Sequence, residues 1–123
     1  MARFSDVQLS ITVNESNQTA SILVKGRVQL TPNDVGTFIV ECSMKGDDTF
    51  RDDNLFQYSP KVVQARGFTT ASPFEFSSTE QLSSLNEDVI DKDEIYAELV
   101  LKKGNEIGPV ISTAKTNVVE IRA

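Results

Sequence analysis

Two runs of acidic residues are the part of the chain best suited to chemistry. They lie in residues 47–53 and 87–94, and their acids are Asp47, Asp48, Asp52 and Asp53, then Glu87, Asp88, Asp91, Asp93 and Glu94. Carboxylate oxygens suit Ca²⁺, which accepts several of them in a flexible geometry. The simpler interpretation is that both runs are solvated loops. The alternative is a weak calcium site centred on Asp48, Asp52, Asp91 and Asp93.

Catalytic chemistry has little support in the composition. The chain contains no histidine, which removes the commonest general base at neutral pH and the usual activator of a nucleophile. It also has no glycine-rich phosphate loop and no nucleophile elbow. A carboxylate-based enzyme is the catalytic class that the composition leaves open, but acids in turns are mostly solvated. We therefore predict no catalytic residue, no enzyme activity and no cofactor apart from the calcium alternative.

The single cysteine, Cys42, rules out an internal disulfide and any metal site built on clustered thiolates. It shares its parity along the chain with Phe38, Val40 and Met44. A buried thiol without a neighbouring base has a raised pKa and reacts slowly. We therefore expect Cys42 to be a buried, unreactive core residue.

Length, charge and hydropathy limit the possible partners. The 123 residues are 39% hydrophobic and carry a net charge of -6, which fits a single soluble domain over residues 1–123 and repels nucleic acid. No apolar run approaches the roughly 18 residues that span a bilayer, and residues 1–6 lack the apolar region of a secretory signal. We therefore predict a cytoplasmic or virion protein that has a protein partner or associates with itself.

Four segments alternate apolar and polar residues with the period of two that is typical of half-buried strands. In the third of them we expect Thr37, Glu41 and Ser43 to be largely exposed. Gly26 interrupts the second and indicates a bulge or a close backbone approach. The residues predicted to face the core are Val7, Leu9, Ile11 and Val13; Ala20, Ile22, Val24, Val28 and Leu30; Phe38, Val40, Cys42 and Met44; and Ile95, Ala97, Leu99 and Leu101.

The remaining strand signals are shorter. Strands are predicted over residues 55–58, 62–65 and 74–76, with a break at residues 71–73, and the pattern leaves their order open. Residues 109–121 are rich in β-branched side chains and are predicted to form a hairpin with residues 93–101.

A short helix is predicted before the penultimate strand. Residues 78–81, Ser-Thr-Glu-Gln, fit a capping box, in which a hydroxyl and a Gln side chain satisfy exposed amides reciprocally. Leu82, Leu85 and Val89 then follow at helical spacing. These signals indicate one to three turns of helix.

About seven or eight short strands, nearly all with one apolar face, predict an all-β fold, a two-sheet antiparallel sandwich. An orthogonal barrel is the alternative. The large inward side chains are able to fill a solid core, whereas a ligand-holding barrel would need small or polar ones.

The segment from Ile90 to Tyr96, Ile-Asp-Lys-Asp-Glu-Ile-Tyr, resembles the immunoglobulin-like and fibronectin type III-like domains, where an apolar residue six before a tyrosine opens the penultimate strand. The resemblance implies an immunoglobulin-like topology, with the turns after the first and third strands and before the penultimate strand at one pole. The chain departs from the family in having no Trp, no cysteine pair, and Glu98 where an inward apolar residue is expected. We therefore expect Tyr96 to lie outside the core or at a bulge.

The function predicted from these features is a non-catalytic interaction or structural module, such as a subunit of a larger cellular or virion assembly. The alternatives are a calcium-dependent binding domain with an acidic loop pole and a small-ligand carrier. A deep apolar cavity would favour the carrier, and a filled core would argue against it.

Overall fold

Nine β-strands and one turn of 3₁₀ helix form in the part of the chain that this computed structural model describes, residues 1–46, 53–85 and 93–121. Their order follows the alternating segments of the sequence. The strands are β1 (Arg3–Asn14), β2 (Thr19–Leu30), β3 (Val35–Gly46), β4 (Asp53–Gln57), β5 (Lys61–Arg66), β6 (Thr70–Gln81), β7 (Asp93–Lys103), β8 (Val110–Lys115) and β9 (Val119–Ile121), and the 3₁₀ turn is Leu82–Ser84.

The strands make two antiparallel sheets. The smaller sheet has the order β1-β2-β6, and the larger one has the order β4-β3-β7-β8, with β5 also paired to β3 and β9 also paired to β7. Every paired strand is antiparallel to its neighbour. The predicted all-β, two-sheet antiparallel sandwich is thus confirmed. In the described residues no helix is long and apolar enough to cross a membrane.

The core lies between the two sheets and is built mainly from the inward-facing residues of β2, β3 and β7. Every inward residue predicted for these three strands is buried, and Phe76, Leu82 and Leu85 close the space between them. In β1, Leu9 is buried, while Val7, Ile11 and Val13 are half-buried and pack against the core. The inward parity of all four segments is therefore confirmed.

The outward face of β3 is more covered than the alternation predicts. Thr37, Glu41 and Ser43 are half-buried, so the expectation that they are largely exposed is wrong. The cause is the position of β3, which has a neighbouring strand on both sides. The side chain of Glu41 is only 14% exposed, and it forms an ion pair with Lys102 at 3.0 Å.

Gly26 sits where side chains crowd the backbone. A Cβ atom at this position would lie 2.8 Å from Cζ of Phe74 and 2.9 Å from Cγ1 of Val7. β1 has one extra residue at this point. Arg27 and Lys25 pair with Ser5 and Gln8, so both Asp6 and Val7 lie opposite Gly26. Asp6 has a φ of 53°. The predicted close approach is confirmed, and the bulge belongs to β1.

Residues 78–81 belong to a strand, so the predicted capping box is wrong. These residues continue β6 and pair with residues 19–22 of β2, and Gln81 makes no side-chain cap. Pairing with β2 holds these residues in an extended conformation, which a helix start does not have. Only the single 3₁₀ turn Leu82–Ser84 follows, and Val89 lies outside the described residues. The predicted break at residues 71–73 is also wrong, because β6 runs through Pro73.

The C-terminal segment divides into two strands at residues 116–118, where side-chain hydrogen bonds join the backbone bond from the Thr116 amide to the Ala97 carbonyl. The Thr116 hydroxyl accepts a hydrogen bond from the Ala97 amide at 2.9 Å. The Asn117 side chain binds both backbone groups of Leu9, accepting from its amide at 2.9 Å and donating to its carbonyl at 3.1 Å. The predicted hairpin with β7 is present, and its second arm is split because residues 116–118 turn toward β1.

Tyr96 lies on the outward parity of β7 and is nevertheless buried. It is 4% exposed and is not part of the core cluster, whereas its neighbours Ile95 and Ala97 are. The ammonium of Lys115 lies 5.1 Å from the centroid of the Tyr96 ring. The expected orientation away from the core is correct, but neighbouring side chains cover the ring.

We expect Val40→Asp to abolish folding, because Val40 is fully buried at the centre of the core. Burying an uncompensated carboxylate costs several kcal/mol, a large part of the roughly 5–15 kcal/mol that stabilises a domain. Thr37→Asp, on the outward face of the same strand, is the matched control and should change stability by only about 1 kcal/mol. Urea denaturation of both variants tests the register. A cooperatively folded Val40→Asp variant would show that it is wrong.

Candidate functional site

Exposed apolar side chains collect on the outward face of the larger sheet, at the end where β3 begins. Val62 of β5 lies opposite Ile39 of β3, Ile39 lies opposite Lys102 of β7, and Lys102 lies opposite Val110 of β8. Val62 is 61% exposed and Val110 is 57% exposed. These residues form a row across four adjacent strands, interrupted only by the aliphatic stem of a lysine.

Three further apolar residues lie beside this row. Val35, at the start of β3, is 57% exposed on the same parity as Ile39, and Phe68 follows Gly67 in the turn after β5. Ile107 lies in the loop between β7 and β8, which is held near Lys102 because the Lys102 ammonium donates to the Glu106 carbonyl at 2.7 Å. We call Val35, Ile39, Val62, Phe68, Ile107 and Val110 the apolar end.

The turn before β3 fixes the start of the apolar end. The Asp34 carboxylate accepts hydrogen bonds from the Thr31 amide at 2.7 Å and from the Thr31 hydroxyl at 2.9 Å. The backbone hydrogen bond from Thr31 is the main reason that the pKa of Asp34 lies below its usual value. These bonds close the turn over residues 31–34, which leads directly into Val35.

Cations surround the apolar end. Lys103 donates from its ammonium to the Val35 carbonyl at 2.9 Å, and Arg66 lies directly opposite Val35. Lys102 pairs with Glu41. For Arg66 and Lys103, no carboxylate partner is present in the described part of the chain. At this end of the protein, Arg66 and Lys103 are therefore cations without an ion pair to any described residue.

The predicted calcium ligands lie at the opposite end of the sandwich or outside the described residues. Asp48, Asp52 and Asp91 are not among residues 1–46, 53–85 and 93–121, and Asp93 is described only as the first residue of β7. The strand ends that flank the two acidic runs do come together, because Gly46 pairs with both Asp53 and Ile95. The calcium site stays a prediction. Within the described residues, no group of three His, Cys, Asp or Glu side chains is arranged to hold a metal.

Two shallow grooves mark the outward face of the smaller sheet. One lies around Gly26 and the β1 bulge, and its charged residues are Asp6, Lys25, Arg27 and Glu75. The other is rich in hydroxyl groups and is lined by Ser10, Thr12, Ser21, Ile22, Leu23, Ser77, Ser78 and Thr79. Both open to solvent on the outside of the sandwich. Neither is the deep apolar cavity that a small-ligand carrier would use.

Cys42 is fully buried in the core, as predicted. Burial raises the pKa of its thiol to about 12, because the apolar surroundings disfavour the thiolate. The Tyr58 ring packs against the core, and its hydroxyl hydrogen-bonds the Ser78 hydroxyl at 2.6 Å. Burial also raises the pKa of Tyr58. These groups are suited to packing and to joining the two sheets.

Sequence reasoning missed the apolar end as a surface. Val62 and Val110 were included in predicted strand segments, but their exposure depends on which strands lie beside β5 and β8. The available signal was the parity of Ile39, which places an apolar residue between the polar outward residues Thr37 and Glu41.

Comparison with known proteins identifies the fold alone. No family model and no curated protein matches the chain. In structure it is similar to a β-glucuronidase of Bacteroides uniformis, with a TM-score of 0.74 and 11% identity over 99% of this chain. Bacteroides uniformis β-glucuronidase 2, covalently bound to cyclophellitol-6-carboxylate aziridine, gives the same values. This chain spans only 14% of either glucuronidase chain.

A protein from Archaeoglobus fulgidus is similar over nearly its whole length. Its TM-score is 0.52 and its identity 16%, with 98% of each chain covered. The sandwich thus occurs both as a small part of large chains and as most of a short one.

We expect the free energy of unfolding to fall as the pH rises from about 9 to about 12, since the folded state keeps the Cys42 thiol protonated over a range in which the unfolded chain releases the proton. Urea denaturation in steps of pH should show a steeper decline for the native chain than for Cys42→Ala. Tyr58 titrates in both proteins, so its contribution cancels in the comparison. Parallel pH profiles would contradict the buried, neutral thiol.

If the two acidic runs form a calcium site, millimolar Ca²⁺ should raise the melting temperature, because extracellular sites of this class bind at roughly 0.1–1 mM. Asp48→Asn combined with Asp91→Asn should remove the increase. Glu75→Gln combined with Glu106→Gln, which removes two acids away from that pole, is the charge-matched control and should retain it. An equal response to Ca²⁺ in all three proteins, or none in the native chain, would identify the acids as solvated loops.

Proposed function

We propose that the protein is a non-catalytic interaction module that binds a protein surface through the apolar end. The observation that carries the proposal is the alignment of Val62, Ile39 and Val110 across four strands, next to Val35, Phe68 and Ile107. Scattered exposed apolar residues need no explanation, but a contiguous group rimmed by polar residues is typical of a protein-binding surface.

The charges around the apolar end indicate the chemistry of the partner. Arg66 and Lys103 border Val35, and both cations are available to a carboxylate outside the described chain. A partner with an apolar centre and acidic residues at its rim would complement this surface. Such charge complementarity mainly sets the rate and the orientation of association, while the buried apolar residues supply most of the affinity.

We also propose that the sandwich is immunoglobulin-like. In that topology the first, second and fifth strands share one sheet, and the third, sixth and seventh share the other. Here β1, β2 and β6 form the smaller sheet, while β3, β7 and β8 lie side by side in the larger one. This order supports the assignment, with β4 and β5 as two short additional strands beside β3.

A structural role inside a larger assembly is consistent with the similar structures. The same sandwich makes up a small fraction of the two glucuronidase chains. A domain of this kind, without a catalytic set, can hold neighbouring domains or subunits in position. The cellular or virion assembly to which this chain would belong is part of the proposal.

The calcium-dependent binding domain is the second candidate. It is favoured by the meeting of the strand ends at Gly46, Asp53 and Ile95, which flank the two acidic runs.

The test of the apolar end is site-specific photo-crosslinking in the native source. A photoreactive residue at position 62 should crosslink to one protein, whereas the same residue at Thr113, an exposed outward position on β8, should not. With the captured protein, Val62→Lys and Val110→Lys should each weaken binding about ten-fold, because each loses the burial of one valine, worth roughly 1.5 kcal/mol. Thr113→Lys is the matched control. Equal crosslinking at both positions, or equal binding by all variants, would reject the apolar end as the interface.

A further inference from the structure

The outer edge of β6 presents unpaired backbone groups along a strand of 12 residues. The Leu82 amide donates to the Gln18 carbonyl at 2.9 Å, one step beyond the pair of Thr19 with Gln81. Hydrogen-bonded and non-hydrogen-bonded pairs alternate along an antiparallel ladder. The even-numbered residues of β6 therefore bond to β2, and the odd-numbered residues direct their N–H and C=O groups away from it.

Two features agree with this parity. Pro73 is odd-numbered, so its missing N–H removes no bond to β2. At the other edge of the same sheet, the groups of Leu9 that point away from β2 are those that bind Asn117. The β1 edge is thus closed by a side chain. Along the β6 edge, the described residues supply no backbone partner.

The centre of β6 lacks the protection that its two ends have, because Pro73 and Glu75 precede it and Glu80 follows it. Natural edges carry Pro, Lys, a bulge or a covering loop that prevents another strand from pairing. Residues 76–79 contain no Pro and no charged residue, and they pair with β2 without a bulge. Ser77 and Thr79 are small, compatible with a strand and exposed.

We propose that β6 pairs antiparallel with β6 of a second copy of this chain, with the two-fold axis at Ser77. The two smaller sheets then form one continuous sheet. In this register Glu75 lies opposite Thr79 of the partner, and the outward amides of Glu75, Ser77 and Thr79 all find carbonyl partners. Such a dimer has a closed, self-complementary interface.

Among axes placed on an odd-numbered residue, whose backbone groups point outward, the charges and the strand end of β6 favour Ser77. An axis at Glu75 would place the two Glu75 carboxylates opposite each other and would put Pro73 opposite Ser77. An axis at Thr79 would place Glu75 opposite residue 83, beyond the end of β6. With the axis at Ser77, Glu80 faces Phe74 and no like charges are paired. The uncharged centre of β6 therefore fits a second β6 without repulsion.

Sedimentation equilibrium over a concentration series, up to millimolar protein, tests the dimer. Ser77→Pro should abolish dimerisation, because it removes an outward N–H at the centre of the interface and leaves the ladder to β2 intact. Ala71→Pro is the matched control: it removes an outward N–H of the same strand outside the paired stretch, and the dimer should persist. Thermal unfolding of both variants confirms that they are folded.

A charge exchange at position 79 keeps the test decisive if Ser77→Pro does not fold. Thr79→Glu should raise the dimer dissociation constant about five-fold, because it creates two like-charge pairs with Glu75, and Thr79→Lys should lower it. Gln81→Glu, opposite Pro73, should leave it unchanged.

A native chain that is monomeric at every concentration would overturn the proposal, as would a dimer that responds equally to Ser77→Pro and Ala71→Pro. Val62→Lys and Val110→Lys should leave the dimer intact. If they dissociate it, copies meet through the apolar end and the β6 interface is rejected. The failure of this proposal is therefore distinguishable from the failure of the proposed function.

Discussion

The pairing of β3 with β7 is the constraint on which the rest of the sandwich depends. The two strands run in register from Phe38 and Lys103 to Gly46 and Ile95, at the centre of the larger sheet. Their inward residues, such as Val40 and Leu101, are fully buried and form the floor of the core. The same register aligns their outward residues with β5 and β8. The core and the apolar end therefore lie on opposite faces of the sheet that β3 and β7 build.

The strands with one strongly apolar face were predictable from local pattern alone. In β2, β3 and β7, only one parity can be buried without removing polar groups from water, so the sequence determines which face turns inward. Residues 78–81 show where this reasoning fails. Ser-Thr-Glu-Gln is compatible with a helix cap and with a strand, and the choice depends on β2, some 60 residues away, which offers a continuous ladder. Pro73 was misleading for a related reason, because a proline is tolerated where its strand lies at an edge.

The candidate surface was less predictable than the fold, because exposure on a sheet depends on neighbours. Ile39 and Val62 lie far apart in sequence, and only the pairing of β3 with β5 brings them together. The cations at this end have the same dependence, since Arg66 and Lys103 come from different strands. The acidic runs were visible in the sequence, and the described strands next to them meet at one end of the sandwich. Local composition therefore identifies charge, while long-range pairing determines which surface it surrounds.

The bond between Asn117 and Leu9 also has a mechanical consequence. Leu9 lies in the first strand and Asn117 precedes the last, so one side-chain amide ties the two terminal strands of the described chain together. Arg3 and Ile121 lie at opposite ends of the sandwich, because the first pairs with the end of β2 and the second with the start of β7. Tension applied between these residues would pull β1 and β9 past each other. The two hydrogen bonds of the Asn117 amide would then oppose that sliding, so a contact that looks like a strand-edge detail also links the pulling points of the domain.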